Sequence, residues 1–231
     1  MIIGFEGGMG SGKTLGATIW AWRYSLAGGG LPVMANYKMH PEYWARHAAL
    51  NPGFTLRVMT TEEDWVDFAA GGGGYVVFDE IHQNLDSRAY AGKQARYWTQ
   101  FLMYLRKLRI TLLLTSQSIR HQVDVRIRDN IDILIECRKT RSGFAYELWD
   151  PKTEKHLGRR FVPYRTAALF YGIYDTYYLV RPMRFPLTEK AYVEFLDQLE
   201  DAQPRHGGRK RAPEAFWPRG WEAPAARVDA G

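Results

Sequence analysis

The chain has 231 residues, 46% of them hydrophobic and 14% aromatic, which is room for one well-buried α/β domain with or without a tail and too little for two full domains. No apolar run approaches the roughly 18 to 20 residues that a membrane-crossing helix needs, and the one cysteine, Cys137, excludes an internal disulfide, so a soluble protein of a reducing cytoplasm without a structural zinc site is expected. The net charge of +6, with a pI of about 9.4, favours polyanionic partners such as nucleic acid and also suits nucleotide binding or simple solubility.

The first elements in chain order carry a nucleotide site. Ile2-Ile3-Gly4-Phe5 reads as a short buried strand, and Gly7-Gly8-Met9-Gly10-Ser11-Gly12-Lys13-Thr14 follows it and opens a helix. Strand, glycine loop and helix in that order make a phosphate-binding loop. The glycines turn consecutive backbone N–H groups inward, Lys13 reaches the β and γ oxygens, and the Thr14 hydroxyl ligates Mg²⁺. A nucleoside triphosphate and Mg²⁺ are therefore the expected cofactors, with nucleotide contacts from Gly7 to Leu15.

The helix runs from Lys13 to about Ala27, with Leu15, Ile19, Trp22 and Leu26 at helical spacing, and stops at Gly28-Gly29-Gly30. Leu31 to Tyr37 and Phe54 to Met59 read as strands. Thr60-Thr61-Glu62-Glu63 starts a helix with a capping hydroxyl and early acids, and the glycine run 71–74 ends it. Tyr75-Val76-Val77-Phe78 is an unbroken apolar run, as in a strand buried on both faces of a parallel sheet. Asp79 and Glu80 follow at once, so both carboxylates leave the carboxyl end of a central strand, where parallel sheets hold their ligands. Asp79 suits Mg²⁺ binding beside Thr14, and Glu80 suits polarising the water that attacks the γ-phosphate.

Ser87 to Gln94 is polar and reads as loop, and a helix from about Arg96 to Leu108 precedes a strand from Ile110 to Thr115. Thr115-Ser116-Gln117 then sets the Gln117 amide where it senses the γ-phosphate or holds the attacking water. Arg88, Arg120, Arg126 and Arg128 are candidates for an arginine finger acting on an adjacent subunit's nucleotide, with Arg128 and Arg88 first. Beyond Asp129, Ile131 to Arg138 and Phe144 to Trp149 read as an antiparallel hairpin about Thr140-Arg141-Ser142-Gly143. Phe185-Pro186-Leu187-Thr188 introduces a last helix to about Leu199. The fold expected is α/β, a mainly parallel central sheet extended by antiparallel strands, with an ATPase domain over residues 1–201. Residues 202–231 are rich in Pro, Arg, Gly and Ala and read as a tail, mobile or docking on a neighbouring subunit, whose stretch Arg205-His206-Gly207-Gly208-Arg209-Lys210-Arg211 is either solvated or in contact with nucleic acid.

The loop from Gly7 to Thr14, Phe78-Asp79-Glu80, Thr115-Ser116-Gln117 and the later Tyr174-Asp175-Thr176 together resemble the N-terminal ATPase domain of zonula occludens toxin-like phage assembly proteins, and more broadly the FtsK/HerA pumping ATPases that include viral genome-packaging motors. The resemblance covers about residues 1 to 180. It implies a P-loop NTPase of the RecA-like, additional-strand catalytic-glutamate type. It also implies a homo-oligomeric ring, a hexamer or pentamer, with ATP as the nucleotide at subunit interfaces, DNA driven through the centre, and a viral capsid or phage assembly machinery as partner. The membrane-bound assembly proteins carry a transmembrane segment after the ATPase domain, and this sequence shows none. The expectation therefore moves toward a packaging motor in the host cytoplasm or associated with the virion, with assembly and extrusion as the alternative.

Other readings meet specific objections. Asp79-Glu80-Ile81-His82 matches the helicase box Asp-Glu-x-His, but a helicase of that class needs two tandem motor domains in one chain. A small-molecule kinase has a phosphate loop near its start and does not normally need a vicinal Asp-Glu with a strand-terminal Gln. A GTP switch lacks its Asn-Lys-x-Asp motif here, and a scaffold without catalysis has no need of Lys13, Asp79 and Glu80 together.

Overall fold

The computed structural model describes residues 1–81, 93–180 and 183–202. Its frame is one sheet built from β1 (Ile2–Glu6), β2 (Val33–Ala35), β3 (Leu56–Val58), β4 (Gly74–Phe78), β5 (Ile110–Ser116), β6 (Ile133–Lys139), β7 (Gly143–Asp150) and β8 (Lys155–Pro163). The strands lie in the order β3-β2-β4-β5-β1-β6-β7-β8. Pairing is parallel from β3 through to β6 and antiparallel between β6 and β7 and between β7 and β8. β5 stands between β1, which feeds the glycine loop, and β4, which ends at the acids. This is the additional-strand arrangement that the resemblance implies.

Alternation along the central strands feeds two cores. Ile3, Phe5, Val77, Leu113 and Ile135 face α1 (Lys13–Ala27) and pack on Ile19 and Trp20. Ile2, Val76, Phe78, Leu112 and Leu114 face the other way. There they meet α3 (Glu63–Ala70), α4 (Lys93–Tyr104) and α8 (Glu189–Ala202) through Trp65, Trp98, Phe101 and Phe195. Trp98 stacks on Phe185 with ring centroids 4.2 Å apart, and Trp65 meets Phe101 edge-on at 4.9 Å. Such pairs add about 0.5–1.5 kcal/mol each beyond the area they bury.

Several local expectations shift. Only Val33–Ala35 of the apolar run 31–37 pairs in the sheet, and just beyond it the Asn36 side chain bonds the backbone of Asp79. The helix expected from about Arg96 begins by Lys93 and ends at Tyr104. The threonine hydroxyl cap expected for α3 does not form: no side chain caps the helix, and Asp64 Oδ2 in its first turn accepts the N–H groups of Thr60 and Thr61, just before it, at 2.6 and 2.8 Å. The hairpin of β6 and β7 forms as expected, and β6 also pairs in parallel with β1, which hydrophobic alternation alone does not disclose. α2 (Ala45–Leu50), the short helices α5 (Ile119–Gln122), α6 (Val125–Arg128) and α7 (Tyr164–Ala168), and the edge strand β8 were not read from the sequence. Helices of four to six residues carry too little periodicity to register. The tail expected over 202–231 lies outside the described residues from position 203 onward.

Candidate nucleotide site

The carboxyl ends of β1, β4 and β5 converge on the glycine loop. α1 starts at Gly12 in a left-handed conformation, φ 87°, with no side chain capping its first turn. Its leading N–H groups are thereby left to an anion, as phosphate binding at a helix N-terminus requires. A Cβ on Gly12 would stand 2.6 Å from Phe144 Cδ1, and the Gly12 carbonyl accepts the Tyr146 hydroxyl at 3.0 Å, so β7 buttresses the loop. From the other side the Gly7 N–H donates to the Gln117 carbonyl at 3.2 Å. Lys13 is buried, its ammonium donating to the Gly8 carbonyl at 3.1 Å.

Across the loop, the Thr14 hydroxyl donates to Asp79 Oδ1 at 2.8 Å and the Thr115 hydroxyl donates to the same oxygen at 2.5 Å. Asn36 holds the Asp79 backbone from both sides, its Nδ2 donating to the Asp79 carbonyl at 2.9 Å and its Oδ1 accepting the Asp79 N–H at 2.8 Å. Burial pushes the Asp79 carboxyl up. The Thr115 and Thr14 hydroxyls, and then the Lys13 ammonium, pull it back toward the ionised form. A carboxylate beside a hydroxyl is a hard-oxygen donor pair. That suits Mg²⁺, which takes one or two carboxylates and completes its shell with phosphate and water. Among the described residues no cluster of three or more His, Cys, Asp or Glu competes as a metal centre. Glu80 follows in a left-handed conformation, φ 52°, which costs a non-glycine residue about 1–2 kcal/mol. Strain of that kind is held by its surroundings, here by the bond from the Glu80 N–H to Thr115 Oγ1 at 3.1 Å.

With this geometry in view, comparison with known proteins gives a family. The model of the zonular occludens toxin (Zot) family matches residues 1–154. The chain belongs to the Zot family. No curated protein matches it. Among solved structures it is similar to the N-terminal domain of zonular occludens toxin from Neisseria meningitidis, at 15% identity and a TM-score of 0.49, over 75% of this chain and 98% of that one. It is also similar to the genome packaging NTPase B204 from Sulfolobus turreted icosahedral virus 2 in complex with ATP-gammaS, at 10% identity and a TM-score of 0.48, over 70% and 96%. The DNA-packaging ATPase B204 from Sulfolobus turreted icosahedral virus matches at 12% identity and a TM-score of 0.49, over 70% and 97%.

The remaining candidate residues of this Zot-family chain fall in different places. The side chain of Gln117 is exposed at the end of β5. Arg126 is clasped by Asp124 of its own chain, through Nε and a terminal nitrogen at 2.9 and 2.8 Å. Arg128 donates to the Arg120 carbonyl, and Arg120 bridges Glu6 and Glu136 at 3.3 and 3.0 Å. Glu6 is buried at the end of β1 and also accepts the Ile119 N–H at 3.0 Å, so Arg120 ties α5 to the strand that feeds the loop. Arg88 and His82 lie outside the described residues. Tyr174 bridges Met39 and rests its ring 5.3 Å from that of Tyr37. The Tyr37 hydroxyl stands 2.6 Å from Thr18 Oγ1, which donates to the Thr14 carbonyl at 2.7 Å. The Tyr-Asp-Thr motif thus braces the first turns of α1 from behind.

Sequence reasoning missed Asn36, Thr115 as the partner of the Asp79 carboxylate and of the Glu80 N–H, Tyr146, and the backbone role of Gln117. Only the aromatic alternation Phe144, Tyr146 in β7 carried any signal, as an inward-facing stripe.

Proposed function

We propose that this chain is an ATP-hydrolysing motor that translocates DNA as a homo-oligomeric ring, hexameric or pentameric, in viral genome packaging. Residues 1–201 form the ATPase domain and 202–231 a tail, mobile or docking on a neighbouring subunit. The nucleotide is held by Gly7 to Leu15, with Lys13 on the β and γ phosphates. Thr14 and Asp79 hold Mg²⁺, which when bound neutralises charge on the phosphates. Glu80 polarises the attacking water, Gln117 faces the γ-phosphate, and an arginine from Arg88, Arg126 and Arg128 reaches the adjacent subunit's site. The observation that carries this reading is the 2.8 Å bond between Thr14 and Asp79, which joins the glycine loop to the acidic strand end across β5.

Filamentous-phage assembly and extrusion is the second reading, and membership of the Zot family is the observation that favours it. Among the described residues no helix is long and apolar enough to cross a membrane. The test is ATP turnover measured without polymer, with double-stranded DNA and with single-stranded DNA, alongside the mass in solution. Stimulation by double-stranded DNA in a ring supports packaging, and stimulation by single-stranded DNA alone supports assembly. Transfer of phosphate to a small metabolite would overturn both and identify a kinase.

A further inference from the structure

Thr115 sits where β4 and β5 part company. Their parallel ladder runs to Phe78 opposite Leu114, and at the next position a side chain takes over from the backbone. The Thr115 hydroxyl has one proton and two lone pairs. Its proton goes to Asp79 Oδ1 at 2.5 Å, and it accepts the Glu80 N–H at 3.1 Å. Its carbonyl accepts the Ile81 N–H at 2.9 Å. One fully buried residue therefore grips three successive positions: the carboxylate of Asp79, the left-handed backbone of Glu80 and the backbone beyond it.

We propose that Thr115 is the positioning residue of the nucleotide site: its hydroxyl fixes the Asp79 carboxylate against Thr14 and aims Glu80 at the γ-phosphate. This rests on the ATPase reading above. The same strand end holds the glycine loop, because the Gly7 N–H donates to the Gln117 carbonyl two residues further on. β5 is thus a rigid spacer between the two halves of the site, with Thr115 gripping the acids and Gln117 gripping the loop.

The division of labour has a specific consequence. Without the hydroxyl the loop still cradles phosphates through Lys13 and the backbone, while Asp79 loses one of its two hydroxyl donors and the Glu80 N–H loses its acceptor. Hydrogen bonds to charged groups are the strong ones, so the loss is read as a large factor in rate and in the Mg²⁺-dependent part of nucleotide affinity, and a small one in the affinity without Mg²⁺.

The 231-residue chain is compared as wild type, Thr115→Val and Thr115→Ser. A fluorescent ATP analogue is titrated with Mg²⁺ and with EDTA, and kcat and KM are measured separately. Thr115→Val is expected to bind the analogue in EDTA as the wild type does, to lose most of the Mg²⁺-dependent gain in affinity, and to show kcat reduced at least about tenfold with KM raised by no more than that lost gain. Thr115→Ser is expected to recover both. Thr115→Cys keeps the volume with only a weak donor, and carries the same comparison if the valine variant melts below the assay temperature. A valine or cysteine variant with full Mg²⁺ enhancement and kcat within about twofold of wild type overturns the proposal. So does a serine variant as impaired as valine, because the hydroxyl is then not the agent. If the wild type turns over no ATP, the ATPase reading fails, and Thr115 is judged on the Mg²⁺-dependent affinity alone.

Discussion

Lys13 and Glu80 make separable demands on the same site. The Lys13 ammonium is the loop's side-chain cation and is buried against the Gly8 carbonyl, so Lys13→Ala removes the charge proposed to meet the β and γ phosphates without opening the core. Turnover is expected to vanish and nucleotide affinity to fall while the thermal unfolding midpoint stays within a few degrees, as assay and circular dichroism will show. Glu80→Gln keeps the shape and removes the proposed base. ATP binding is expected to persist with turnover lowered by about 10², the scale of general-base loss, and an unchanged rate would move the base to another residue. Cys137 gives an independent handle on the fold. It is buried in β6 and burial pushes its thiol up, so a thiol-alkylating reagent at neutral pH is expected to leave the native protein unlabelled and to label it fully in denaturant.

At the scale of elements, α1 is pressed against β7 at a glycine. A Cβ on Gly16 would meet Tyr146 Cε1 at 2.5 Å, and that ring cannot swing freely because its hydroxyl is bonded to the Gly12 carbonyl. Replacing a helical glycine gains at most about 1 kcal/mol of propensity, less for a β-branched residue, whereas overpacking costs about 1–3 kcal/mol. The clash wins for Gly16→Val. Its unfolding midpoint is expected to fall by several degrees, at roughly 2–4 °C per kcal/mol for a chain of this size, and its nucleotide affinity to fall with it because Gly12 moves. A variant as stable as wild type with normal affinity would show that β7 does not support the loop.

The proposed ring is tested at the scale of the whole molecule. A finger acts on a neighbour's nucleotide, so Arg128→Ala or Arg88→Ala should cut turnover while sparing each subunit's own affinity for ATP. Mixing either variant with Glu80→Gln subunits should restore part of the activity, because some interfaces then pair an intact Glu80 with an intact arginine. The rescue should grow with protein concentration. Arg126 is expected to contribute little by comparison, since Asp124 of the same chain already satisfies its guanidinium through two nitrogens. A chain that remains monomeric with ATP and DNA, with a rate per subunit independent of concentration, would rule out action in trans.

What the sequence determined by itself is contiguous. The loop from Gly7 to Thr14 and the run Tyr75 to Glu80 are each complete within a few residues, and each is a strand end whose chemistry is dictated by local backbone geometry, so loop, acids and their strands were legible at once. The tertiary structure alone decided what joins them. Asn36 and Asp79 are 43 residues apart, Thr115 and Asp79 are 36 apart, and Tyr146 and Gly12 are 134 apart. These partners meet because β2 and β5 flank β4 and because β6, running parallel to β1, carries β7 back over the loop. Strand order is a property of how two apolar faces are buried together, and hydrophobic alternation records only that a strand has two faces, not which strand lies beside it.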